Sequence, residues 1–397
     1  MANVTTFETK FSKRMQVVHY KKDVFRAFVS MEERSNLKSG QAVVRPYRSS
    51  LVAQSYTRGS NLSFQTTTDT NETLTVNTSP AVPFTVDSLD ALQSNYQLQS
   101  LYAEDAARKL GNEIDGDVLA EVASAVSTVD AASFGGSAGN GIVLSTSNIL
   151  SVLFKANQKL NAQNIDVSDR FCVLSPEALN YVQEYWAGRE TASSDQYGMN
   201  GFMGRMANAE LYMSNSTYWT GVLSIATQPT DGDTVTINGV TFTFKTVLGA
   251  TPGNVLIGAS ADAARLNLTT LINAPSATTS EGVALSAANQ ALLRNISAVD
   301  AAGANTMTVA AKGWGTVVVS EVLTDGTDAW TKKIQHLMFG RKNAIDLVIQ
   351  QEPTTKVDSI PEQLGVYVKP YTLYGKKTFA EGAKALVDIL IDASVFA

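Results

Sequence analysis

An α+β fold, made of one long helix, several alternating strands and a compact inserted unit, is what this 397-residue sequence predicts. Three observations carry that prediction. Between Leu92 and Val126 the residues Leu92, Tyr96, Ala103, Ala107, Leu110, Ile114, Val118 and Val122 recur at three, four and seven positions, the spacing of one apolar helix face. Short alternating runs flank that stretch on both sides. From about Gly221 the composition turns to Thr, Ala, Val, Gly and Asn, and it returns to the earlier mixture after Trp330.

Residues 1–40 form a basic arm in which Phe7, Phe11, Met15, Val18, Tyr20, Val24, Phe25 and Phe28 are scattered through charged residues. Such a segment has too few repeating apolar positions for a core and is expected to order against something else. Residues 41–86 read as an extended hairpin loop built from Ala42–Tyr47, Leu62–Gln65, Thr73–Val76 and Phe84–Val86. Asp87 or Ser88 can cap the long helix, with Asp90 in its first turn. Unbroken from 88 to 126, that helix would run roughly 58 Å, the length of a strut. Gly111 and Gly116 lower its local propensity by up to about 1 kcal/mol each, so a bend or a close neighbour is expected there.

A second helix is expected from Ser147 to Leu160, followed by a buried strand at Arg170–Leu174. Ser175-Pro176-Glu177 is a helix start: a hydroxyl cap, proline in the first turn, and acid at the positive end. Ala209–Ser214 resumes strand character. Within 222–331, Thr234–Ile237 and Val240–Phe244 flank Asn238-Gly239, a strong hairpin signal. Helices at Ala261–Ile272 and Ala287–Leu293 and strands at Thr306–Ala310 and Thr316–Ser320 complete a small α+β unit with its own core. Ile345–Ile349, Gly365–Lys369 and Ala385–Ile391 are strands of the main body, the last woven back into its sheet.

Charge is distributed unevenly. Residues 1–60 carry eleven basic and four acidic side chains, a net of +7; residues 61–160 carry four and eleven, a net of −7; the whole chain stands at −6. Opposed segments suit contact between copies of one chain, although uneven, solvated faces account for the same counts. Lys10, Lys13, Arg14, Lys21, Lys22 and Arg26 supply the arm's charge, and Arg45, Arg48 and Arg58 that of the hairpin. The arm's charges also suit sequence-independent phosphate contact. Glu113, Asp115 and Asp117 cluster on the helix; Asp115 and Asp117 do not share one face, so a solvated or subunit-facing acidic surface is favoured over a divalent cation site.

Catalytic signatures are missing. His19 and His336 are the only histidines and Cys172 the only cysteine, so no zinc spacing occurs and no disulfide can form within the chain. There is no Gly-x-Ser-x-Gly elbow, no Walker phosphate loop and no strand-led Gly-x-Gly-x-x-Gly. Gly198–Gly204 reads as a loop needing tight turns. No cofactor, metal or enzymatic role is expected, and neither a signal pattern nor a membrane span is evident, so synthesis inside the cell as a soluble protein is expected.

The order of these parts resembles the tailed-bacteriophage major capsid (coat) protein family, and in pattern it is most similar to short-tailed phage coat proteins with an inserted domain. Phe171–Leu179, the stretch from Gly204 through Tyr212-Met213-Ser214-Asn215, and Tyr374-Gly375-Lys376-Lys377 carry the local likeness. The insert, from Asp231–Gly239 through Gly258–Ala264, is instead similar to a small module of phage structural proteins. The resemblance implies an N-terminal arm (1–40), an extended hairpin loop (41–86) and a peripheral domain with a spine helix (87–139). It further implies an apical α/β domain in two parts (140–221 and 332–360), the inserted domain (222–331) and returning C-terminal strands (361–397). It also implies an icosahedral shell of hexamers and pentamers around double-stranded DNA, assembled in the host bacterial cytoplasm with a scaffolding protein and a portal. A surface or tail-associated virion binding or decoration module is the alternative that the insert alone suggests.

Overall fold

A computed structural model describes residues 23–34, 40–48, 51–67, 69–87, 98–187, 204–360 and 364–396. The first half of the chain contributes strands β1 (Ala42–Arg48), β2 (Asp69–Thr75) and β3 (Phe84–Asp87), helix α1 (Leu98–Leu119), β4 (Ser127–Val129), α2 (Ile149–Ala162), β5 (Arg170–Leu174), α3 (Pro176–Ala187), β6 (Arg205–Met206), β7 (Ala209–Met213) and β8 (Tyr218–Ser224). Then come β9 (Thr234–Ile237), β10 (Val240–Lys245), β11 (Asn254–Leu256), α4 (Ala261–Asn273), α5 (Ala287–Leu292), β12 (Ile296–Ala301), β13 (Thr306–Ala311) and β14 (Val319–Val322). The chain closes with β15 (Trp330–Arg341), β16 (Asp346–Ser359), β17 (Gly365–Lys377), α6 (Ala380–Lys384) and β18 (Leu386–Asp392).

β15 is the hub of a nine-stranded sheet, flanked along its length by β8, β18 and β5. Alternation along these strands sends side chains to two different cores. Cys172, Leu174, Leu337, Phe339, Ile389 and Ile391 meet α2 and α3 on one face, through residues such as Val152, Leu153, Leu160 and Val182. Phe171, Val173, Met338 and Leu386 meet Ile114, Val118 and Leu119 of α1 on the other. Phe28 is drawn into that second core, stacked 4.3 Å from Phe171. Fully burying each such aromatic stabilises by about 1.5–3 kcal/mol. As the sequence suggested, Ser175 caps α3, its hydroxyl accepting from the Ala178 amide at 3.3 Å.

α1 ends earlier than expected. It is described from Leu98; Ser88 and Asp90, expected at its start, lie outside the described residues, and Asp87 is the last residue of strand β3. After Leu119 the chain tightens into a 3-10 turn, Ala120–Ser124, so the α-helix stops short of 126. The glycine expectation divides the same way. Gly111 has nothing within 4 Å of an added Cβ, whereas at Gly116 that atom would lie 2.7 Å from the Gly313 Cα.

β16, β17 and β3 form a separate antiparallel sheet, and its residues Leu347, Ile349 and Tyr374 share the α1 core. Within the 332–360 segment, β16 pairs along its length with β17, and its Leu347 and Ile349 pack against the spine helix. The expected hairpin loop is likewise only partly one unit. β1 and β2 pair from Ala42↔Thr75 to Arg48↔Asp69, and Leu74 is buried against Val348 and Phe379. β3 leaves to pair with β17, and Leu62–Gln65 forms no strand.

The insert has its own core, in which Val235, Ile237, Val240, Phe242 and Phe244 are covered by Leu268, Leu271 and Ile272 of α4. The Asn238-Gly239 turn has φ of 50° and 81°, the left-handed pair that a two-residue hairpin requires. That core takes in Trp219, Leu223 and Trp330 but no residue of α1. The insert is nevertheless continuous with the main body in hydrogen bonding, since β12 and β13 extend the nine-stranded sheet through β8. The strand expected at Thr316–Ser320 is displaced to Val319–Val322, because Gly313 and Gly315, with φ of 75° and 69°, turn the chain just before it.

Candidate intersubunit surface

Lys10, Lys13, Arg14, His19, Lys21 and Lys22 lie outside the described residues. Arg26 is half-exposed and meets Asp23 at 3.3 Å and Glu352 at 3.4 Å, so its charge is shared with the main body.

The hairpin's three arginines have different fates. Arg45 sits at the base between Glu33 (2.8 Å) and Asp346 (3.0 Å), with its guanidinium 4.3 Å from the centre of the Phe379 ring. Burial opposes its charge, but hydrogen bonds to Glu33 and Asp346 outweigh that and hold its pKa above the ordinary value. Expected as a charge offered along the hairpin, Arg45 is an anchor within the chain, because the β1 pleat turns it toward Asp346. Arg48 and Arg58 are exposed.

Beyond Arg48 the described part of the loop, 51–67, is held by its own polar side chains. The Gln65 side chain accepts from the Val52 amide at 3.0 Å and donates back to its carbonyl, Ser63 donates to Gln54, and the Ser60 amide closes a turn on Thr57. These bonds set the legs of the loop and leave its apolar side chains outward: Leu51, Val52, Tyr56 and Leu62 are more than half exposed and Phe64 is 96 % exposed. Scattered surface apolar residues are ordinary; here five lie on one loop.

The acidic trio of α1 does not form an outward surface. Asp115 is 3 % exposed, and its carboxylate accepts from the Val24 and Phe25 amides at 3.1 and 3.0 Å and from the Ser214 hydroxyl at 2.8 Å. It fastens the arm at Val24 and Phe25 to the helix. Asp117 accepts from the Tyr374 hydroxyl at 2.7 Å and faces Lys312 and Lys376 at 3.3 and 3.4 Å. Burial opposes its ionisation, but Lys376, Tyr374 and Lys312 outweigh it and hold the carboxyl below the usual carboxylate range. Burial and the facing carboxylate push the Tyr374 hydroxyl up, which keeps it a donor. Glu113 takes Arg294 at 3.3 Å and the Asn295 side chain. Nearly adjacent positions on the helix thus point to different neighbours, and each carboxylate finds donors inside the chain.

Sequence reasoning did not pair these carboxylates with Arg294, Lys312, Tyr374 and Lys376, which lie far away in the sequence. Nor did it find the structural role of His336, whose Nδ1 meets Asp388 and Nε2 meets Thr220, both at 2.8 Å, tying three neighbouring strands together. Burial pushes the Cys172 thiol up, so it is inert. Among the described residues no group of three or more His, Cys, Asp or Glu side chains is placed to hold a metal, and no helix is long and apolar enough to cross a membrane.

Neither protein-family profiles nor curated protein sequences match the chain. Solved structures do. A structure from Mycobacterium phage Che8 superposes with a TM-score of 0.60 at 12 % identity, covering 98 % of both chains. The capsid structure of the cyanophage P-SCSP1u gives 0.53 at 11 % identity, over 96 % of this chain and 92 % of that one. The mature capsid of bacteriophage PhiM1 gives 0.51 at 10 % identity, over 98 % and 93 %. The chain therefore shares its fold with these solved phage capsid structures.

Proposed function

We propose that this chain is a major capsid protein that self-assembles into an icosahedral shell enclosing double-stranded phage DNA. The observation that carries the reading is the near full-length likeness to phage capsid structures at both ends of the superposed chains. The exposed apolar loop at 51–67 supports it, since a neighbouring copy would complete its burial. Hexamers and pentamers of the chain assemble in the host bacterial cytoplasm with a scaffolding protein and a portal. The arm residues Lys10, Lys13, Arg14, Lys21, Lys22 and Arg26 lie toward the interior or between subunits, meeting acidic partners or packaged DNA. Residues 222–331 face outward and decorate the shell or brace adjacent capsomers. The chain's role is structural rather than enzymatic.

Expression of the full chain, alone and with a scaffolding protein, tests this directly. Closed particles tens of nanometres across in electron micrographs are the expected result. A monomer or small oligomer under both conditions would favour the surface or tail-associated decoration module instead.

A further inference from the structure

Helix α1 touches the insert along one line of its surface. Glu113, Gly116 and Asp117 stand at i, i+3 and i+4 and so share a face. Opposite them lie two loops of the insert: Arg294 and Asn295 bind Glu113, Lys312 binds Asp117 at 3.3 Å, and Gly313 lies against Gly116. These loops form one plate, because the Lys312 amide donates to the Asn295 carbonyl at 3.1 Å and the Trp314 indole donates to the Arg294 carbonyl at 2.7 Å. Asn295 and Gly313 both adopt left-handed backbone, with φ of 60° and 75°; the first sends its side chain to Glu113 and the second lays bare main chain against Gly116.

The charged pairs alone are weak, since Arg294 and Lys312 are 37 % and 45 % exposed and water screens them. The glycine contact supplies the specificity. An added Cβ at Gly116 would sit 2.7 Å from the Gly313 Cα, closer than Cβ atoms come to other heavy atoms, and 3.0 Å from its nitrogen. Successive helix positions rotate by roughly 100°. A one-residue shift of α1 would therefore bring Asp115 or Asp117 against Gly313 and pull Asp115 from Val24, Phe25 and Ser214.

We propose that this contact is a register-dependent clasp: the insert stays docked on α1 only while the helix keeps its present rotation, and distortion of the helix releases it. Released, the insert stays paired to the main body through β13 on β8, so the clasp sets how α1 seats on the loops at 294–296 and 312–315 rather than the insert's attachment. The property belongs to the single chain and goes beyond the assembly reading, so it stands or falls independently of shell formation.

Amide hydrogen exchange on the purified full-length chain, with Gly111→Ala and Gly116→Ala compared, tests it. Without a neighbour, Gly-to-Ala in a helix is stabilising, so Gly111→Ala should slow exchange within α1 about two- to fivefold and leave the insert unchanged. Gly116→Ala should do the opposite, speeding exchange on the order of tenfold in both 113–119 and the loops 294–296 and 312–315. Gly116→Ala that instead slows α1 exchange and leaves those loops unchanged overturns the clasp. Should Gly116→Ala fail to fold, Lys312→Gln provides the second reading, because this half-exposed side chain reaches the helix only through the clasp. Faster exchange in both 113–119 and the two loops sustains the proposal; a change confined to the insert, or none at all, refutes it.

Discussion

The chain makes two hairpin excursions from comparable local patterns, and they solve the problem of their apolar faces in opposite ways. In the insert, β9 and β10 alternate around Asn238-Gly239 and bury Val235, Ile237, Val240, Phe242 and Phe244 completely, because α4 lies across them. In the loop between β1 and β2 no helix is available, and Leu51, Val52, Tyr56, Leu62 and Phe64 remain outside. Alternation thus announces that a face needs covering. It does not say whether the cover is in the same chain.

The sharpest way to break this contrast is to truncate one aromatic from each excursion. Phe242→Ala should destabilise the isolated chain by about 3–5 kcal/mol in a denaturant titration, the cost of a cavity in a filled core. Phe64→Ala should move that stability by no more than about 0.5 kcal/mol and instead lower the yield of assembled particles. A matching loss of subunit stability at Phe64, or unaltered assembly, would mean that the loop is not completed by another copy.

A smaller effect separates the base of the loop from its tip. Arg45→Ala removes a guanidinium shared by Glu33 and Asp346 and should cost about 1–3 kcal/mol in the same titration. Reversing Arg48 and Arg58 together should leave subunit unfolding unaltered while changing the salt dependence of assembly, since exposed charges are screened over about 8 Å at physiological ionic strength. Equal behaviour of all three positions in the unfolding measurement would erase the distinction between anchor and offered surface.

The smallest expected effect concerns the junction of insert and helix. Asp117 is held below the usual carboxylate range in the folded chain, so the folded state binds its proton less readily than the unfolded one. Its contribution to stability is full above the unfolded carboxyl value of about 3.9 and is lost as pH falls through the lower folded value. Stability of the wild-type chain should therefore decline on acidification below that point more steeply than stability of Asp117→Asn, measured by denaturant midpoints across the acid range. Parallel profiles would remove Asp117 from the set of internally satisfied groups.

Features with a local physical cause were legible beforehand. The cap at Ser175-Pro176, the Asn238-Gly239 turn, the helix at Ala261 and the apolar face of α1 each follow from a few neighbouring residues. Features that depend on distant pairing were not. Nothing near Trp330 signals that β15 would stand between β8, β18 and β5, or that the sheet of the main body would run on into the insert. The Leu62–Gln65 alternation suggested a strand, but a strand exists only where another backbone accepts its hydrogen bonds. Of the candidate surface, the exposure of Arg48 and Arg58 matched a hairpin offered outward. The burial of Asp115 did not match, because its donors come from Val24, Phe25 and Ser214, far away in sequence.

The position of β15 also bears on the order in which the molecule forms. Its neighbours arrive from before the insert, from α/β elements still earlier, and from Leu386–Asp392 long after, while β18 in turn waits for parallel contact with Ser127–Val129. Pairings of such wide sequence separation are kinetically slow, whereas the β9–β10 ribbon closes across two residues. The β9–β10 ribbon can thus be formed while the sheet that carries the insert is still open, and the main body is complete only when its most distant strands have come together.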